Sequence, residues 1–343
     1  MKRSTKAWIK IAGVMTAAGI AFLMAGCAMG GYDTLRNWVK NGELSWNFGD
    51  FGFFGWGSGN SVRFDSRFPV YEGDVERTKI EDAQQIRRLC FDAGGGLIEI
   101  KISEDGGYWF SGDHAKEFQC YVDNGCLELR AKGGSWVNNH NYDHVITVWV
   151  PAEESYGGID LDIGGGVLRA ERLSGDEISV DVGAGSVETD ELNGTNIELD
   201  LGAGEILVHR ADAERISIDI GAGKVRIDAF SVQKLNAALG AGEAVLTEGE
   251  VQDADLSVGM GQIDYSGSIT GDLKAECSMG QIDLELNGKP EDHNYVVECS
   301  MGEIRVDTRK YGGMASSQTV SNGADSDFEL ECSMGGIIVT FVP

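Results

Sequence analysis

The sequence has few prolines, few histidines and no familiar catalytic motif. Only 4 of its 343 residues are proline and 5 are histidine. Neither a Gly-x-Ser-x-Gly nor a His-Glu-x-x-His pattern occurs, so the sequence offers no hydrolase or metalloprotease signature of those kinds. The seven cysteines include no Cys-x-x-Cys pair, so their spacing does not indicate a zinc ribbon.

Positive charge is also scarce. The chain carries 28 Lys and Arg against 55 Asp and Glu, for a formal net charge of −27. A strongly acidic protein is repelled by phosphate backbones, so we expect no nucleic-acid partner. Basic peptides, basic surfaces and cations are the partners that this charge favours.

Glycine is abundant, with 49 residues, and much of it belongs to a repeat. The stretch Ile-Ser-Val-Asp-Val-Gly-Ala-Gly at residues 178–185 recurs along the chain. The first turn position recurs every 19 residues, at Gly164, Gly183, Gly202, Gly221, Gly240, Gly259 and Ser278. A fixed period of this length indicates one structural unit per repeat.

Apolar residues alternate on both sides of each turn, as in Ile216, Ile218 and Ile220 before it and Ile206 and Val208 after it. Alternation with period two predicts strands that turn one face toward a common interior. A further apolar residue nine positions after the turn, such as Leu173, suggests a third side. The sequence therefore predicts an all-β fold, a single-chain β-solenoid (β-helix) with 19-residue coils, regular over residues 151–343.

Residues 69–150 are predicted to form an irregular β opening of the solenoid. Residues 89–96 have the form of a later coil, and Asn124-Gly125 predicts a tight hairpin turn within residues 118–129. Cys120 and Cys126 flank that turn, but a two-residue loop would place Cys126 opposite Asp123. A disulfide between the two cysteines is therefore disfavoured.

The repeat changes toward the C-terminus. Its Gly-Ala-Gly turn becomes Ser-Met-Gly, and the spacing grows to 22 and then 33 residues, which predicts loops near residues 288–294 and 308–327. The last coil is apolar on both faces. We expect it to end the stack and to be covered by a loop or a partner, and its partner-edge candidates are Ile337, Ile338, Val339 and Phe341.

Four aspartates occupy equivalent outward positions, two residues before the turn: Asp162, Asp181, Asp200 and Asp219. Stacked coils would place these residues, the aspartate ladder, about 4.8 Å apart. Calcium favours several carboxylate oxygens, so the ladder is a weak calcium candidate, while a solvated face is the simpler interpretation. Cys277, Cys299 and Cys332 occupy an inward position and are predicted to be core thiols. No catalytic residue or cofactor site is predicted.

The N-terminus predicts membrane attachment. Four basic residues in positions 1–10 precede an uncharged stretch over 11–31, so residues 1–31 are predicted to be a membrane anchor or a lipoprotein signal. Cys27, in Leu-Met-Ala-Gly-Cys, is a lipidation candidate. An uncleaved transmembrane helix is the alternative, and an ordinary cleaved signal peptide is a third possibility. Residues 32–68 are predicted to be an aromatic and Gly-rich juxtamembrane linker, with the rest of the chain extracytoplasmic.

Residues 146–151 (Ile-Thr-Val-Trp-Val-Pro) run into Ile-Asp-Leu-Asp-Ile-Gly-Gly-Gly at 159–166 and then into the repeats. This pattern resembles the bacterial putative-adhesin family of unknown function, found in cell-envelope proteins of Gram-positive bacteria. The resemblance implies a β-solenoid at the envelope that acts in adhesion or in the envelope-stress response, and it supplies no catalytic residues. We therefore expect a non-catalytic, membrane-anchored binding module. A regulatory component working through a membrane protein partner is the alternative, and a glycan-active enzyme is an outside alternative.

Overall fold

The computed structural model describes residues 62–81, 83–132, 144–152, 155–312 and 316–342. All of them belong to the second of two compact units, Trp56–Pro343. The predicted anchor at residues 1–31, with Cys27, and the linker up to residue 61 lie outside the described residues. Among the residues that are described, no helix has the length and apolar character needed to cross a membrane.

The centre of this unit is a stack of long parallel strands. Their bounds are β7 Tyr156–Ile163, β8 Val167–Val182, β9 Ser186–Leu201, β10 Glu205–Ile220, β11 Lys224–Leu239 and β12 Glu243–Val258. Each pairs with the next at a shift of one repeat, so that Ile206 of β10 lies between Val187 and Val225. The 19-residue coil predicted from the sequence is thus observed in the strand register.

Two features explain why each repeat folds in this way: apolar residues alternate along its strands, and glycines form its turn. The inward side chains Ile216, Ile218 and Ile220 are fully buried, and so are Leu173 and its equivalents on the third side. At the turn, Ala203 N donates to the Gly183 carbonyl 2.8 Å away in the previous coil. A Cβ on Gly204 would lie 2.0 Å from the Gly185 carbonyl oxygen, so the last turn position requires glycine.

The N-terminal end does not follow sequence order. Its strands are β1 Tyr71–Lys79, β2 Arg88–Ala93, β3 Leu97–Ser103, β4 Trp109–Asp123, β5 Cys126–Ala131 and β6 Val145–Pro151, with a short 3-10 helix at Ala83–Gln85. β2 lies between β5 and β7, and β3 lies between β6 and β8. The coil formed by β5 and β6 is therefore outermost. Strand β4 pairs antiparallel with both β5 and β6, and β1 in turn pairs antiparallel with β4.

The predicted hairpin is confirmed. β4 and β5 are joined by Asn124 and Gly125, both with positive φ, and Cys126 lies opposite Asp123. Cys126 forms a disulfide with Cys90 of the neighbouring coil, whereas Cys120 is a buried free thiol. The sequence could not indicate this pairing because it depends on β2 lying beside β5.

The C-terminal end shows the same exchange of order. Its strands are β13 Gln262–Ile269, β14 Leu273–Cys277, β15 Gln281–Asn287, β16 Asn294–Cys299, β17 Glu303–Val306, β18 Arg309–Gly312, β19 Ser316–Val320, β20 Asp327–Cys332 and β21 Gly336–Val342. A short 3-10 helix spans Pro290–Asp292. β20 pairs with β14 and β16, and β21 pairs with β15 and β17. The coil of β16 and β17 is outermost, and β19 and β18 pair antiparallel with its two strands.

The expectation that the last coil in sequence ends the stack is therefore wrong. The segment predicted as a loop at 308–327 contains β18 and β19, and it returns the chain so that β21 fits between two earlier strands. Ile337 and Val339 are fully buried, while Ile338 and Phe341 are partly buried. β21 pairs with β15 along its whole length and with β17 from Gly336 to Val339, so Ile337, Ile338 and Val339 do not offer a free strand edge. Phe341 pairs with β15 only, and its backbone N–H donates to Asp307 Oδ1 at 2.8 Å.

Candidate functional site

The strand register brings the aspartate ladder together as predicted. Asp162 pairs with Asp181, Asp181 with Asp200, and Asp200 with Asp219, in four consecutive coils. Asp92 of β2 pairs with Asp162 and so extends the ladder by one coil. The 19-residue period missed Asp92 because β4, β5 and β6 intervene in sequence, although the coil-like form of residues 89–96 was a usable signal.

The four ladder aspartates lack the ion-pair partners that several other acidic residues of these coils have. Elsewhere a basic side chain forms an ion pair with an acidic side chain of the next coil. The distance is 3.1 Å from Arg169 Nε to Glu188 Oε2, 2.6 Å from Arg172 Nε to Glu191 Oε2, and 2.9 Å from Lys224 Nζ to Glu243 Oε1. Within the part of the chain that the structure describes, none of the four ladder aspartates takes part in an ion pair. The ladder therefore retains its capacity to bind positive charge.

This arrangement raises the pKa of three carboxyl groups in the ladder. Burial raises the pKa of Asp162, and burial followed by the charge of Asp162 raises that of Asp181. The pKa of Asp200 rises to about 6, because of burial first and then repulsion from Asp181, Glu198 and Asp219. A bound cation would relieve that repulsion and favour the ionised carboxylates.

A groove of about 500 Å³ opens at the N-terminal end of the ladder. Asp92, Asp162 and Asp181 line it together with Arg63 and Arg130. Arg130 Nη1 donates to the carbonyl oxygen of Arg63 at 2.9 Å. The Arg130 guanidinium is also paired with Glu128, at 3.1 Å between Nη2 and Oε2, so the groove is lined mainly by carboxylates that have no such partner among the described residues.

Two clusters of potential metal ligands occur among the described residues. Cys90, Cys126 and Glu128 lie close together, but both sulfurs belong to the disulfide and are not thiolates. The second, formed by exposed Asp74, Asp113 and His114, was not predicted from the sequence, because β1 and β4 bring it together. Asp74 Oδ1 accepts the backbone N–H of His114 at 2.9 Å, so this carboxylate supports a backbone with positive φ. Calcium binding by the ladder stays a prediction.

The core cysteines form an ordered column. Cys332 pairs with Cys277 on one side and Cys299 on the other, and all three are buried free thiols. The hydrogen bond with Cys332 lowers the pKa of Cys277, and the N–H groups of Gly336 and Gly280 lower it further, against the opposing effect of burial. Burial, followed by the charge of Cys332, raises the pKa of Cys299.

The fold class and the repeat agree with a known family. The chain belongs to the Toastrack DUF4097 family, whose profile matches residues 81–333. The resemblance noted from the repeats is thereby confirmed. Among curated proteins, none matches the chain significantly.

Several solved structures are similar to the chain. A putative lipid binding protein from Parabacteroides distasonis is 15% identical, with a TM-score of 0.49, and the match covers 79% of this chain and 97% of that one. A putative adhesin from Parabacteroides merdae is 14% identical, with a TM-score of 0.49 and coverage of 80% and 96%. A putative cell adhesion protein from Clostridium sporogenes is 12% identical, with a TM-score of 0.20 and coverage of 78% and 98%. At these identities, none of the three indicates what this chain binds.

Proposed function

We propose that the protein is a non-catalytic, membrane-anchored binding module that presents the aspartate ladder outside the cytoplasm to basic surfaces or cationic ligands. The observation that carries this proposal is that four aspartates stack in consecutive coils without an ion-pair partner among the described residues, whereas three other acidic residues of the same stack, Glu188, Glu191 and Glu243, each pair with a basic residue of a neighbouring coil. Exposed like charges on adjacent strands destabilise a sheet. An uncompensated ladder is therefore a cost that binding of positive charge would offset.

Membrane attachment rests on the sequence of residues 1–31. A basic start followed by an uncharged stretch would leave the coils outside the cytoplasm. Protease treatment of intact cells tests this topology: the coils should be digested while a cytoplasmic marker is retained. Complete protection, with the protein in the soluble cytosolic fraction, would contradict it.

Binding is tested on a lysine-rich peptide with two charge-matched variants of the full chain. The first carries Asn at Asp162, Asp181, Asp200 and Asp219. The control neutralises four exposed acids outside the ladder, with Asp190→Asn, Glu214→Gln, Glu250→Gln and Asp325→Asn. The ladder variant should lose at least about tenfold in affinity, and the control should lose less than about threefold. Equal losses would show that only net charge matters and would contradict the proposal.

The regulatory alternative needs a different surface from the one that the sequence suggested. β21 is paired on both edges from Gly336 to Val339, whereas β19 pairs along one edge with β16 among the described residues. A membrane protein partner would then add to β19 at the C-terminal end. Capture of a partner that is lost on replacing Gln318 by proline, with peptide binding intact, would favour this alternative.

The glycan-active alternative is favoured by one observation, the pKa of about 6 at Asp200. A general acid needs such a value. However, the groove is lined by Asp181 and does not reach Asp200, so the carboxyl group best tuned for proton transfer lies outside the concave site. Unchanged turnover of envelope polysaccharides after replacing each ladder aspartate singly would dismiss this alternative.

A further inference from the structure

The exchange of coil order at the C-terminal end gathers methionines that are scattered in the sequence. Each Ser-Met-Gly turn places its methionine at the outer corner, and backbone hydrogen bonds stack the corners. Met279 N donates to Gly259 O at 2.8 Å, Met334 N to Ser278 O at 2.7 Å, and Met301 N to Ser333 O at 2.7 Å. The spatial order is therefore Met260, Met279, Met334 and Met301, which we term the methionine column.

These side chains are unusually exposed. Met279, Met334 and Met301 are 39%, 53% and 69% exposed, and they make up three of the five large exposed hydrophobic residues in the described part of the chain. The equivalent corners of the earlier coils hold alanine, at Ala184, Ala203, Ala222 and Ala241. Among the described turn corners, this exposure is thus confined to one edge of the last three coils of the stack.

The choice of residue points to sulfur rather than to apolarity alone. Beyond residue 31 the sequence has five methionines, and four of them stand at these corners, where leucine or valine would be equally apolar. Consecutive corners lie about 4.8 Å apart. Methionine has three flexible side-chain bonds, so three neighbouring thioethers can converge on one ion.

The surroundings favour a cation over an apolar partner. Glu276, Glu331 and Glu298 pair in register three residues before the three exposed methionines. Lys274 pairs with Glu276, whereas Glu331 and Glu298 take part in no ion pair among the described residues. An apolar partner covering the column would desolvate these carboxylates at a cost, while a cation would be attracted by them.

We propose that Met279, Met334 and Met301 form a binding site for a soft monovalent cation, Cu(I) or Ag(I), held by three thioethers, with Met260 flanking it. Thioether sulfur is a soft ligand that favours such ions over calcium or magnesium. The site is independent of the aspartate ladder, which lies on earlier coils and offers hard oxygen ligands.

Titration of Ag(I) into the full-length chain, labelled with ¹³C at the methionine methyl groups, tests the site. The methyl signals of Met279, Met334 and Met301 should shift together and saturate at one ion per chain, with little change at methionines outside the column. Metal uptake without these shifts would mean that the ion binds elsewhere, for example at the free thiols Cys120, Cys277, Cys299 and Cys332, and would overturn the proposal.

Matched variants sharpen the test. Met279→Leu, Met301→Leu and Met334→Leu together keep the apolar volume and remove the sulfur, so affinity for Ag(I) should fall at least tenfold. Met334→Leu alone should cost more than Met260→Leu, because Met334 lies between the other two ligands. Unchanged affinity in the triple variant, or equal effects of the two single variants, would contradict the proposal.

Discussion

The central coils and the two ends of the stack are built from the same repeat but differ in how sequence maps onto space. From β7 to β12, each coil packs on the one that follows it in sequence. At each end, the first or last coil in sequence moves inward by one place, and its neighbour in sequence becomes outermost. The coils that come first and last in the sequence are thus paired with another coil on both sides.

This difference matters for stability and for function. An unpaired strand edge invites aggregation, and both outermost coils are covered by antiparallel strands: β4 at one end, and β18 and β19 at the other. The ends differ in their chemistry: a disulfide joins the first two coils of the stack, whereas the last coils hold free thiols and exposed methionines. In the centre, coils stacked in sequence order bring the four aspartates of the ladder together. At the C-terminal end, the exchanged order of the last two coils brings Met334 between Met279 and Met301.

The largest effect should follow from deleting residues 336–343. β21 lies between β15 and β17, so its loss exposes the inward faces of both strands, including Ile282 and Ile304. Coils of a solenoid contact only their neighbours, so β8 to β11 should stay folded. Hydrogen exchange should show protection lost from β15 to β17 and kept in the centre. Retained protection in β15 and β17 would contradict the exchanged order.

Removing the disulfide should have the next largest effect. The Cys90→Ala, Cys126→Ala double variant should lose about 2–4 kcal/mol of unfolding free energy, with the loss confined to the N-terminal end. Denaturant unfolding followed by hydrogen exchange measures both the size and the place. Cys120→Ala, at a buried free thiol, is the control. An equal loss in the control would show that packing, and not the cross-link, stabilises this end.

A turn substitution in the central coils should cost less. Gly204→Ala puts a Cβ 2.0 Å from the Gly185 carbonyl oxygen, so one coil must shift. Forced overpacking of this kind costs about 1–3 kcal/mol. Thermal unfolding measures it against Gly323→Ala, a position with positive φ but no atom within 4 Å of the added Cβ. A smaller cost at Gly204 than at Gly323 would mean that coil contact does not impose the turn glycine.

The smallest effect should come from protonation of the ladder. The folded pKa of Asp200, about 6, exceeds the usual value of 3.8, so the folded state binds more protons between these pH values. Stability should therefore fall as pH rises from about 4 to 6, and Asp200→Asn should flatten this slope. Because the group is partly exposed, the difference should stay below about 1 kcal/mol. The melting temperature across this pH range, for wild type and variant, checks the sign. A wild-type stability that rises with pH through this window and loses that rise in the variant would contradict it.

A second group, His293, changes the stability with pH in the direction opposite to Asp200. Burial lowers the pKa of His293, which stacks on Phe328 at 4.0 Å between ring centroids. Protonating this ring below its normal pKa of 6.5 destabilises the fold as pH falls. His293→Phe removes this contribution, so the ladder slope is best measured in that background.

The sequence predicted the coil, its inward residues and the register of Asp162 to Asp219, because period-two alternation and a fixed repeat specify those locally. The Cys90–Cys126 disulfide and the place of Met334 in the stack could not be predicted from the sequence, and Asp92 was missed although residues 89–96 have the form of a coil. Each depends on which coil lies beside which, and long-range pairing leaves no periodic signal. The segment at 308–327 was predicted as a loop for the same reason, since the short strands β18 and β19 are defined only by the edges they cover.

The most direct test of the ladder as a binding face is a carboxyl ¹³C NMR titration of Asp162, Asp181, Asp200 and Asp219, with and without a lysine-rich peptide. In the free protein, Asp200 should titrate with an apparent pKa of about 6. With saturating peptide its pKa should fall, because nearby positive charge favours the ionised carboxylate. A free-state value near 3.8, or a pKa that does not change with the peptide, would contradict the account.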